Sequence, residues 1–143
     1  MSETTLIQPD KIRAYLATDY CMGHAEADTV LRVGVRSPGL AGLFAARGVD
    51  CGAFLTAYNP RGQLQSDGAN DRAHIRLAKR LAVLGLAAIE GSGSAKGSDW
   101  PAERSCFAFG LALETAKAIG LEFDQDAIVW AGPDAVPRLV LLR

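Results

Sequence analysis

Pro60 ends the apolar run Cys51–Leu55 and constrains the polar segment Thr56–Pro60 that follows this run. Proline has no backbone N–H to donate to a sheet, and it disfavours a helical backbone at Asn59. A strand that ends here must therefore open into a shaped loop. Because loops that follow strands carry much of the chemistry of proteins built from helices and sheets, we expect a functional site to begin at this loop.

The composition of the chain excludes several classes of protein. With 143 residues, the chain is expected to form a single domain, residues 1–143, that buries a core without disulfides or structural metals. It is 49% hydrophobic and 22% charged, and its formal net charge of -1 gives no general attraction to nucleic acids or membranes. The longest apolar stretch, Cys106–Leu113, is too short to span a bilayer. We therefore expect a soluble protein.

The start of the chain and its cysteines indicate a cytoplasmic location. Met1–Thr5 lacks the basic start and the hydrophobic region of a signal peptide. Three widely spaced cysteines are expected to be reduced thiols. Cys21 and His24 have a spacing found in metal sites, but no second pair completes a tetrahedral set, so no metal site is predicted.

Hydrophobic periodicity and capping residues predict four helices and six strands. The predicted helices are Asp10–Leu16 after Pro9, a helix from Pro38 that is capped by Ser37 and closed by Gly48, Asp71–Leu84 capped by Asn70, and Leu111–Ile119. The predicted strands are Thr29–Val35, Cys51–Ala57, Leu86–Ile89, Arg104–Phe109, Ala127–Trp130 and Arg138–Leu142, and the segments Cys21–Asp28 and Glu90–Asp99 are predicted to be loops.

The segment Cys106–Leu113 decides how the chain turns. It alternates small and large residues with the period of a strand, and as a helix it would be apolar on every side. We therefore interpret Arg104–Phe109 as a strand that runs back along the sheet, so the backbone reverses between Ile89 and Cys106.

This order of elements, αβαβαββαββ, predicts an α+β fold with a mixed sheet of about six strands and helices packed on its faces. Helical crossovers make the first three strands parallel. The reversal then brings several polar segments to one edge of the sheet, which we call the rim. These segments are Arg36-Ser37, Thr56–Pro60, Asn70–Arg72, Glu90–Gly93, Trp100–Ser105 and Asp124-Gln125. Helix N-termini at Ser37 and Asn70 are expected to face the rim, where they would suit an anionic group.

The loop after the second predicted strand has two open interpretations. Tyr58 and Asn59, with Thr56, can bind a ligand, or they can form a polar turn in which Asn59 bonds to local backbone and Tyr58 covers the core. For Asn70, the role of a helix N-cap is favoured over a ligand contact.

The third predicted helix carries a basic face formed by Arg72, Arg76, Lys79 and Arg80. A basic helix face is usually exposed to solvent, and we favour this interpretation over phosphate binding. Arg72 remains a candidate because it lies in the first turn of the predicted helix, beside the rim.

The segment Trp100–Ser105 is the other candidate. Trp100 can stack on a ring while Glu103 and Ser105 orient that ring, or Trp100 can anchor the preceding loop while Glu103 pairs with a basic residue. Glu103 is the only candidate general base. The histidines are expected to lie away from the rim, so no catalytic relay is predicted, and Gly91–Ser98 does not have the order of a phosphate-binding loop.

Four separated motifs resemble a bacterial family, the domain of unknown function 3293 family. They are Thr56–Pro60, Asn70, Trp100–Ser105 and Phe123–Ala127, and the likeness covers nearly the whole chain. The sequence departs from the family pattern at Asp124, where glycine is expected. The resemblance implies a small soluble bacterial domain, and it implies no activity and no ligand.

These observations predict that the rim binds a small polar or anionic molecule such as a nucleotide. The expected ligand-binding residues are Thr56, Tyr58, Asn59, Asn70, Arg72, Trp100, Glu103, Ser105 and Gln125. No cofactor is identified, and whether the protein is an enzyme stays open. One alternative is a protein-interaction or regulatory module that docks through the Trp100 loop. A weaker alternative is RNA binding through Arg72, Arg76 and Arg80.

Overall fold

A computed structural model describes residues 5–23, 29–95 and 100–143 of the protein. Its helices are α1 (Pro9–Leu16), α2 (Pro38–Arg47), α3 (Asp67–Val83) and α4 (Leu113–Glu122), and a 3₁₀ turn spans Pro60–Gly62. Its strands are β1 (Asp19–Met22), β2 (Val30–Leu31), β3 (Gly52–Leu55), β4 (Ala88–Ser94), β5 (Glu103–Phe109), β6 (Ala127–Ala131) and β7 (Arg138–Leu141).

The seven strands form one sheet in the order β2-β1-β4-β5-β3-β6-β7, and every pairing among the described strands is antiparallel. The predicted α+β class is confirmed. The predicted mixed sheet of about six strands is wrong, because α2, α3 and α4 connect strands that run in the same direction but are not adjacent, and strands that run the opposite way lie between them. β3 is paired on one side with β5 and on the other with β6, so it has no neighbour that precedes it in the chain.

Two predicted loops contain strands. β1 lies in a segment where no strand was expected, and β4 continues through Glu90–Ser94, which was predicted to be part of a loop. A Cβ atom on Gly91 would lie 2.5 Å from the backbone oxygen of Cys21, so this glycine permits the close approach of β1 to β4. The glycines that suggest a loop therefore belong to a strand pair. The expected strand Thr29–Val35 shrinks to the two residues of β2.

Other elements follow the predictions closely. β5 is a strand, followed by α4, and β6 and β7 form the expected hairpin. Ser37 caps α2 by accepting a hydrogen bond from the backbone N–H of Leu40 at 3.0 Å, and Gly48 ends this helix in the left-handed conformation at φ 66°.

The start of α3 differs from the prediction. Ser66 is its N-cap, with its hydroxyl accepting from the backbone N–H of Ala69, and Asn70 lies inside the first turns of the helix. The prediction that Asn70 caps this helix is therefore wrong. Asn70 bonds instead to Asn59, in the loop after β3.

The core is divided by the sheet. Alternation along β5 directs Cys106 and Ala108 towards α3 and α4, whereas Phe107 and Phe109 point towards α2. We call these two faces the α3 side and the α2 side of the sheet. By the same alternation, Glu103 at the start of β5 lies on the α2 side, and its neighbour Arg104 lies on the α3 side.

One proposed member of the rim lies elsewhere. The backbone N–H of Ser37 bonds to the carbonyl of Ala135 in the turn between β6 and β7, at the end of β6 opposite Gln125. The expectation that helix N-termini at Ser37 and Asn70 converge on the rim is wrong, because the segment between β2 and α2 places Ser37 beside the β6–β7 turn. Among the described residues, no helix is both long enough and apolar enough to cross a membrane.

Candidate functional site

Two buried asparagines hold the loop that follows β3. The backbone N–H of Asn59 donates to Asn70 Oδ1 at 2.8 Å, and Asn70 Nδ2 donates to Asn59 Oδ1 at 3.0 Å. Asn59 adopts the left-handed conformation at φ 46°, which asparagine tolerates better than most residues. Because Asn59 Oδ1 also accepts from the backbone N–H of Gln65, the side-chain NH₂ of Asn59 is turned the other way, towards Glu103.

Glu103 is held through one of its two carboxylate oxygens. Oε2 accepts hydrogen bonds from Asn59 Nδ2 at 2.8 Å and from Trp100 Nε1 at 2.9 Å. Oε1 accepts no hydrogen bond from the described residues. The carboxylate is therefore fixed in position by two neutral donors while one oxygen keeps its capacity to accept from another molecule.

A cavity of about 320 Å³, which we call the Glu103 cavity, lies between α1 and the end of the sheet where β5 begins. This volume is at the lower end of the range for small-molecule sites. Aromatic rings and aliphatic side chains make most of its wall: Tyr15, Tyr20, Phe54, Tyr58, Trp100, Ile128, Val129 and Leu139. The cavity thus combines an apolar wall with one carboxylate at its edge.

Three polar residues of the wall are already bonded to backbone. The Thr56 hydroxyl donates to the carbonyl of Arg104 at 2.8 Å, and the Ser105 hydroxyl donates to the carbonyl of Glu103 at 3.2 Å. The amide Nε2 of Gln125 donates to the carbonyl of Tyr58 at 3.1 Å. These side chains hold the loops around the cavity in place, and their donor hydrogens already bond to backbone carbonyls.

Two charged residues line the described part of the cavity, and only one of them is free of an ion pair with the described residues. Lys11 lines it, but its Nζ bonds to Asp126 Oδ2 and to the carbonyl of Arg61, each at 2.9 Å. Glu103 is the other charged residue among the described residues that line the cavity. The charge that the cavity offers to a ligand is therefore the negative charge of Glu103, which attracts hydrogen-bond donors and cations.

Tyr15 supplies a neutral hydroxyl to the same wall. Burial, together with the nearby carboxylates of Asp126 and Glu103, raises the pKa of Tyr15 to about 12. Its hydroxyl has no hydrogen-bond partner within the described parts of the chain. It is thus protonated at neutral pH and able to donate or accept.

Most of the residues expected at the site lie together. Thr56, Tyr58, Asn59, Trp100, Glu103, Ser105 and Gln125 all line the Glu103 cavity. Asn70 stands behind the cavity wall and supports Asn59, whereas Arg72 lies in a different groove. The reversal of the chain between β4 and β5 is what brings these segments together, because it sets the start of β5 beside the end of β3.

Arg72 belongs to a groove of about 580 Å³ between α3 and α4, which we call the α3–α4 groove. The cations along it are Arg72, Arg76, Lys79 and Arg80. Arg80 pairs with Glu122 at 3.2 Å, and Asp124 pairs with Arg61 at 3.6 Å. Arg72, Arg76 and Lys79 form no ion pair with the described residues, so the groove carries a positive surface that is separate from the Glu103 cavity.

Helix α1 was not expected at the site. Its residues Lys11 and Tyr15 line the cavity because α1 packs across the α2 side of the sheet, where the Tyr20 hydroxyl donates to the carbonyl of Tyr15 at 2.9 Å. The apolar periodicity of α1 predicts a helix but not the surface against which it packs. No local signal in the sequence identifies Tyr15 as part of a site.

His74 corrects a further expectation, because it lies beside the predicted rim and not away from it. The Tyr58 and His74 rings meet edge to face, with centroids 6.3 Å apart. His74 Nε2 bonds to Glu90, and Arg104 Nη2 bonds to the same carboxylate at 2.9 Å. Burial acts to raise the pKa of Glu90, but the bonds from His74 and Arg104 outweigh it and lower that pKa. The other histidine of the chain, His24, lies outside the described residues, as does the segment Lys96–Ser98.

A comparison with known protein families gives one match. A family model described as "Protein of unknown function (DUF3293)" matches residues 55–128, which are 74 of the 143 residues of the chain. No curated protein and no solved structure matches the chain. The matched segment contains all nine residues expected at the site, whereas α1, which closes one side of the cavity, lies outside it.

Proposed function

The chain belongs to the DUF3293 family of proteins of unknown function, and we propose that it binds a small polar molecule in the Glu103 cavity through hydrogen bonds donated to Glu103. The single observation that carries this proposal is the arrangement of the Glu103 carboxylate. Oε2 is fixed by Asn59 and Trp100, and Oε1 is left without a bond from the described residues at the edge of a largely apolar cavity.

The charge of the cavity favours a ligand that is neutral or cationic where it meets Glu103. An anionic group at that position would be repelled by the carboxylate, and Lys11 is engaged with Asp126. The two helix N-termini that would have favoured an anion do not converge there. A ligand with N–H donors, such as an amidine, a guanidinium group or the donor edge of a nucleobase, fits the group that is available.

The aromatic wall favours a flat ligand. Tyr15, Tyr58 and Trp100 line the same cavity as the carboxylate, and a planar ring or a cation can pack on their faces and edges. A nucleobase or a similar heterocycle therefore agrees with both the walls and the carboxylate. Glu103 is also the group that would accept a proton from such a ligand, although binding alone is what we propose.

A thermal-shift experiment with defined probes tests this function. Guanosine, benzamidine and arginine provide N–H donors, and citrate and phosphate provide anions for comparison. Binding near saturation stabilises a folded protein by about 3 kcal/mol at 100 times the dissociation constant, so at least one donor probe should raise Tm by several degrees. The anions should not.

The variant Glu103→Gln tests whether binding depends on the free carboxylate oxygen. Its amide oxygen can still accept from Asn59 and Trp100, while its NH₂ takes the place of Oε1 and turns an acceptor into a donor. The shift should be lost in this variant and retained in Glu114→Gln, which changes an exposed carboxylate on α4. A shift that persists in Glu103→Gln, or a panel in which only anions bind, would refute the proposal.

A second candidate function rests on the α3–α4 groove. Because Arg72, Arg76 and Lys79 are not ion-paired with the described residues, this groove can bind a polyanion such as RNA. Single-stranded RNA should then bind with an affinity that falls steeply with salt, and Arg72→Gln/Arg76→Gln should abolish the binding. Salt-independent or absent binding excludes this function.

Two further proposals concern protein partners and the location of the protein in the cell. Docking of a protein partner at Trp100 is supported by the exposure of 42% of that residue, although its Nε1 already bonds to Glu103. A cytoplasmic location is supported by the cysteines Cys21, Cys51 and Cys106, which are free thiols in the structure.

A further inference from the structure

Three side chains from different elements meet on the α3 side of the sheet. They are His74 of α3, Glu90 of β4 and Cys106 of β5, and we call them the His74 cluster. Glu90 and Cys106 stand directly opposite each other in the β4–β5 ladder, and His74 Nε2 lies 2.9 Å from Glu90 Oε2. One nitrogen, oxygen or sulfur atom of each residue lies within 4.8 Å of the other two.

The cluster is separate from the Glu103 cavity. Residues alternate between the two faces of β5, so Cys106 faces α3 while Glu103 and Ser105 face the cavity. Tyr58 stands between the two places, with its ring against His74. The inference below therefore goes beyond the proposed function and does not depend on it.

The donor set has the chemistry of a transition-metal site. Thiolate sulfur, imidazole nitrogen and carboxylate oxygen are the three ligand types of zinc in proteins. With zinc bonds of about 2.0–2.3 Å, tetrahedral ligand atoms lie about 3.3–3.8 Å apart. The atoms of the cluster lie within 4.8 Å of one another, so side-chain movements of about 1 Å bring them to this separation. A thiolate and a carboxylate would also neutralise a divalent cation.

His74 is buried, and one of its two ring nitrogens is not hydrogen-bonded to the described residues. This histidine is 2% exposed, and its Nδ1 is a buried atom with no hydrogen-bond partner among the described residues. An unpaired buried polar atom costs free energy, and native structures contain few of them. Nε2 is the nitrogen of this buried imidazole that faces Glu90, so Nε2 is the atom that would bind a metal in place of its contact with the carboxylate.

Arg104 supports the carboxylate from outside. Its Nη2 bonds to Glu90 Oε1 at 2.9 Å, and its Nη1 lies 3.6 Å from Asp71 Oδ1. Groups that bond to a ligating carboxylate fix its orientation and affect metal affinity. His74 Nε2 faces both oxygens of this carboxylate, at 3.0 Å from Oε1 and 2.9 Å from Oε2.

We propose that His74, Glu90 and Cys106 bind a divalent transition-metal ion of the zinc class, with a fourth coordination position filled by a small exogenous ligand. Three protein ligands and one exchangeable position are typical of zinc sites that act on a substrate, whereas structural zinc sites have four protein ligands. The side chain of Glu90 is 41% exposed, so the carboxylate edge of the cluster is the route of entry for the ion.

Cobalt substitution tests this site. Protein stripped of metals with a chelator is titrated with Co²⁺, and thiolate coordination is followed by its charge-transfer absorption in the near ultraviolet. We expect one Co²⁺ per chain with this band, displaced by one equivalent of Zn²⁺. Cys51→Ala removes a thiol outside the cluster and should keep the band, whereas Cys106→Ala should lose it.

A second variant tests the site at a partly exposed ligand, in case Cys106→Ala does not fold. Glu90→Gln changes a side chain that is partly exposed, and it should weaken Co²⁺ binding by at least about tenfold, because even groups behind the ligands contribute 10- to 100-fold. Wild-type protein that binds no Co²⁺, or binds it without the thiolate band, overturns the proposal whatever the variants do. A band that survives in Cys106→Ala and disappears in Cys51→Ala also overturns it.

Discussion

Asn59 and Asn70 bond to each other twice, through the backbone N–H of Asn59 at 2.8 Å and through the side chain of Asn70 at 3.0 Å. They are 4% and 3% exposed. This pair connects the loop after β3 to the first turns of α3, and it orients the amide that holds Glu103. The geometry of the Glu103 cavity therefore depends on a contact outside the cavity itself.

Replacing Asn70 by alanine should destabilise the protein. The change leaves the buried backbone N–H of Asn59 without its acceptor and removes the partner of Gln65 Nε2. Unpaired buried donors cost about 1–3 kcal/mol, and we expect a loss of about 2 kcal/mol in the free energy of unfolding. Urea denaturation measures it. Gln63→Ala, an exposed change in the same loop, should have no effect. Equal stability of both variants would contradict this role of Asn70.

Asp126 should be essential to stability. Its side chain is 1% exposed and accepts from Lys11 Nζ at 2.9 Å and from Arg143 Nε at 2.7 Å. Asp126→Asn leaves two partly buried cations without their counter-charge, and we expect a loss of about 3 kcal/mol by denaturation. Asp134→Asn removes the charge of an exposed partner of Arg138 and should leave stability unchanged. A loss in Asp126→Asn no larger than in Asp134→Asn would show that the buried charges are not needed.

Two glycines should respond to alanine with opposite signs. A Cβ on Gly52 would lie 2.4 Å from the Phe107 ring, so Gly52→Ala should destabilise the protein by about 1–3 kcal/mol through overpacking. A Cβ on Gly42, in α2, meets no atom within 4 Å, and Gly42→Ala should stabilise by up to about 1 kcal/mol through helix propensity. The midpoints of guanidinium denaturation compare them. Shifts in the same direction would contradict the packing of β3 against β5.

Ionisation of Tyr15 should lower the free energy of unfolding at alkaline pH. Burial and two carboxylates raise its pKa from 10.0 to about 12 in the folded protein. Above pH 10 the unfolded chain loses this proton first, so the free energy of unfolding should fall as the pH rises from 10 to 12. Tyr15→Phe should show a shallower fall over this range, measured by denaturation at each pH. Identical slopes in the two proteins would mean that Tyr15 ionises as freely when folded as when unfolded.

Local patterns in the sequence predicted most of the individual elements. The strict alternation before Phe109 identified β5, and the Ser37-Pro38 cap with Gly48 identified α2. These features are local because capping and side-chain alternation involve residues only a few positions apart. The antiparallel sheet was not predictable in this way, since β3 finds its partners in β5 and β6, which lie far along the chain.

The candidate site was predicted better than the sheet that carries it. The chain reversal before β5 alone brings the loop after β3 next to Glu103, whatever the direction of the other strands. Contributions from α1, such as Tyr15, were not predictable because the position of a helix on a sheet depends on the packing of distant side chains. The His74 cluster was missed for the same reason, since its three residues are 16 positions or more apart in the sequence.

The interior position of β3 in the sheet has a consequence for synthesis of the protein. Gly52–Leu55 is wholly buried in the finished structure, but both of its neighbours are translated much later, β5 at Glu103–Phe109 and β6 at Ala127–Ala131. Non-local pairing of this kind slows folding, and unpaired apolar strands favour association between chains. During translation, this short apolar segment therefore emerges from the ribosome long before β5 and β6, and it stays unpaired until they have been made.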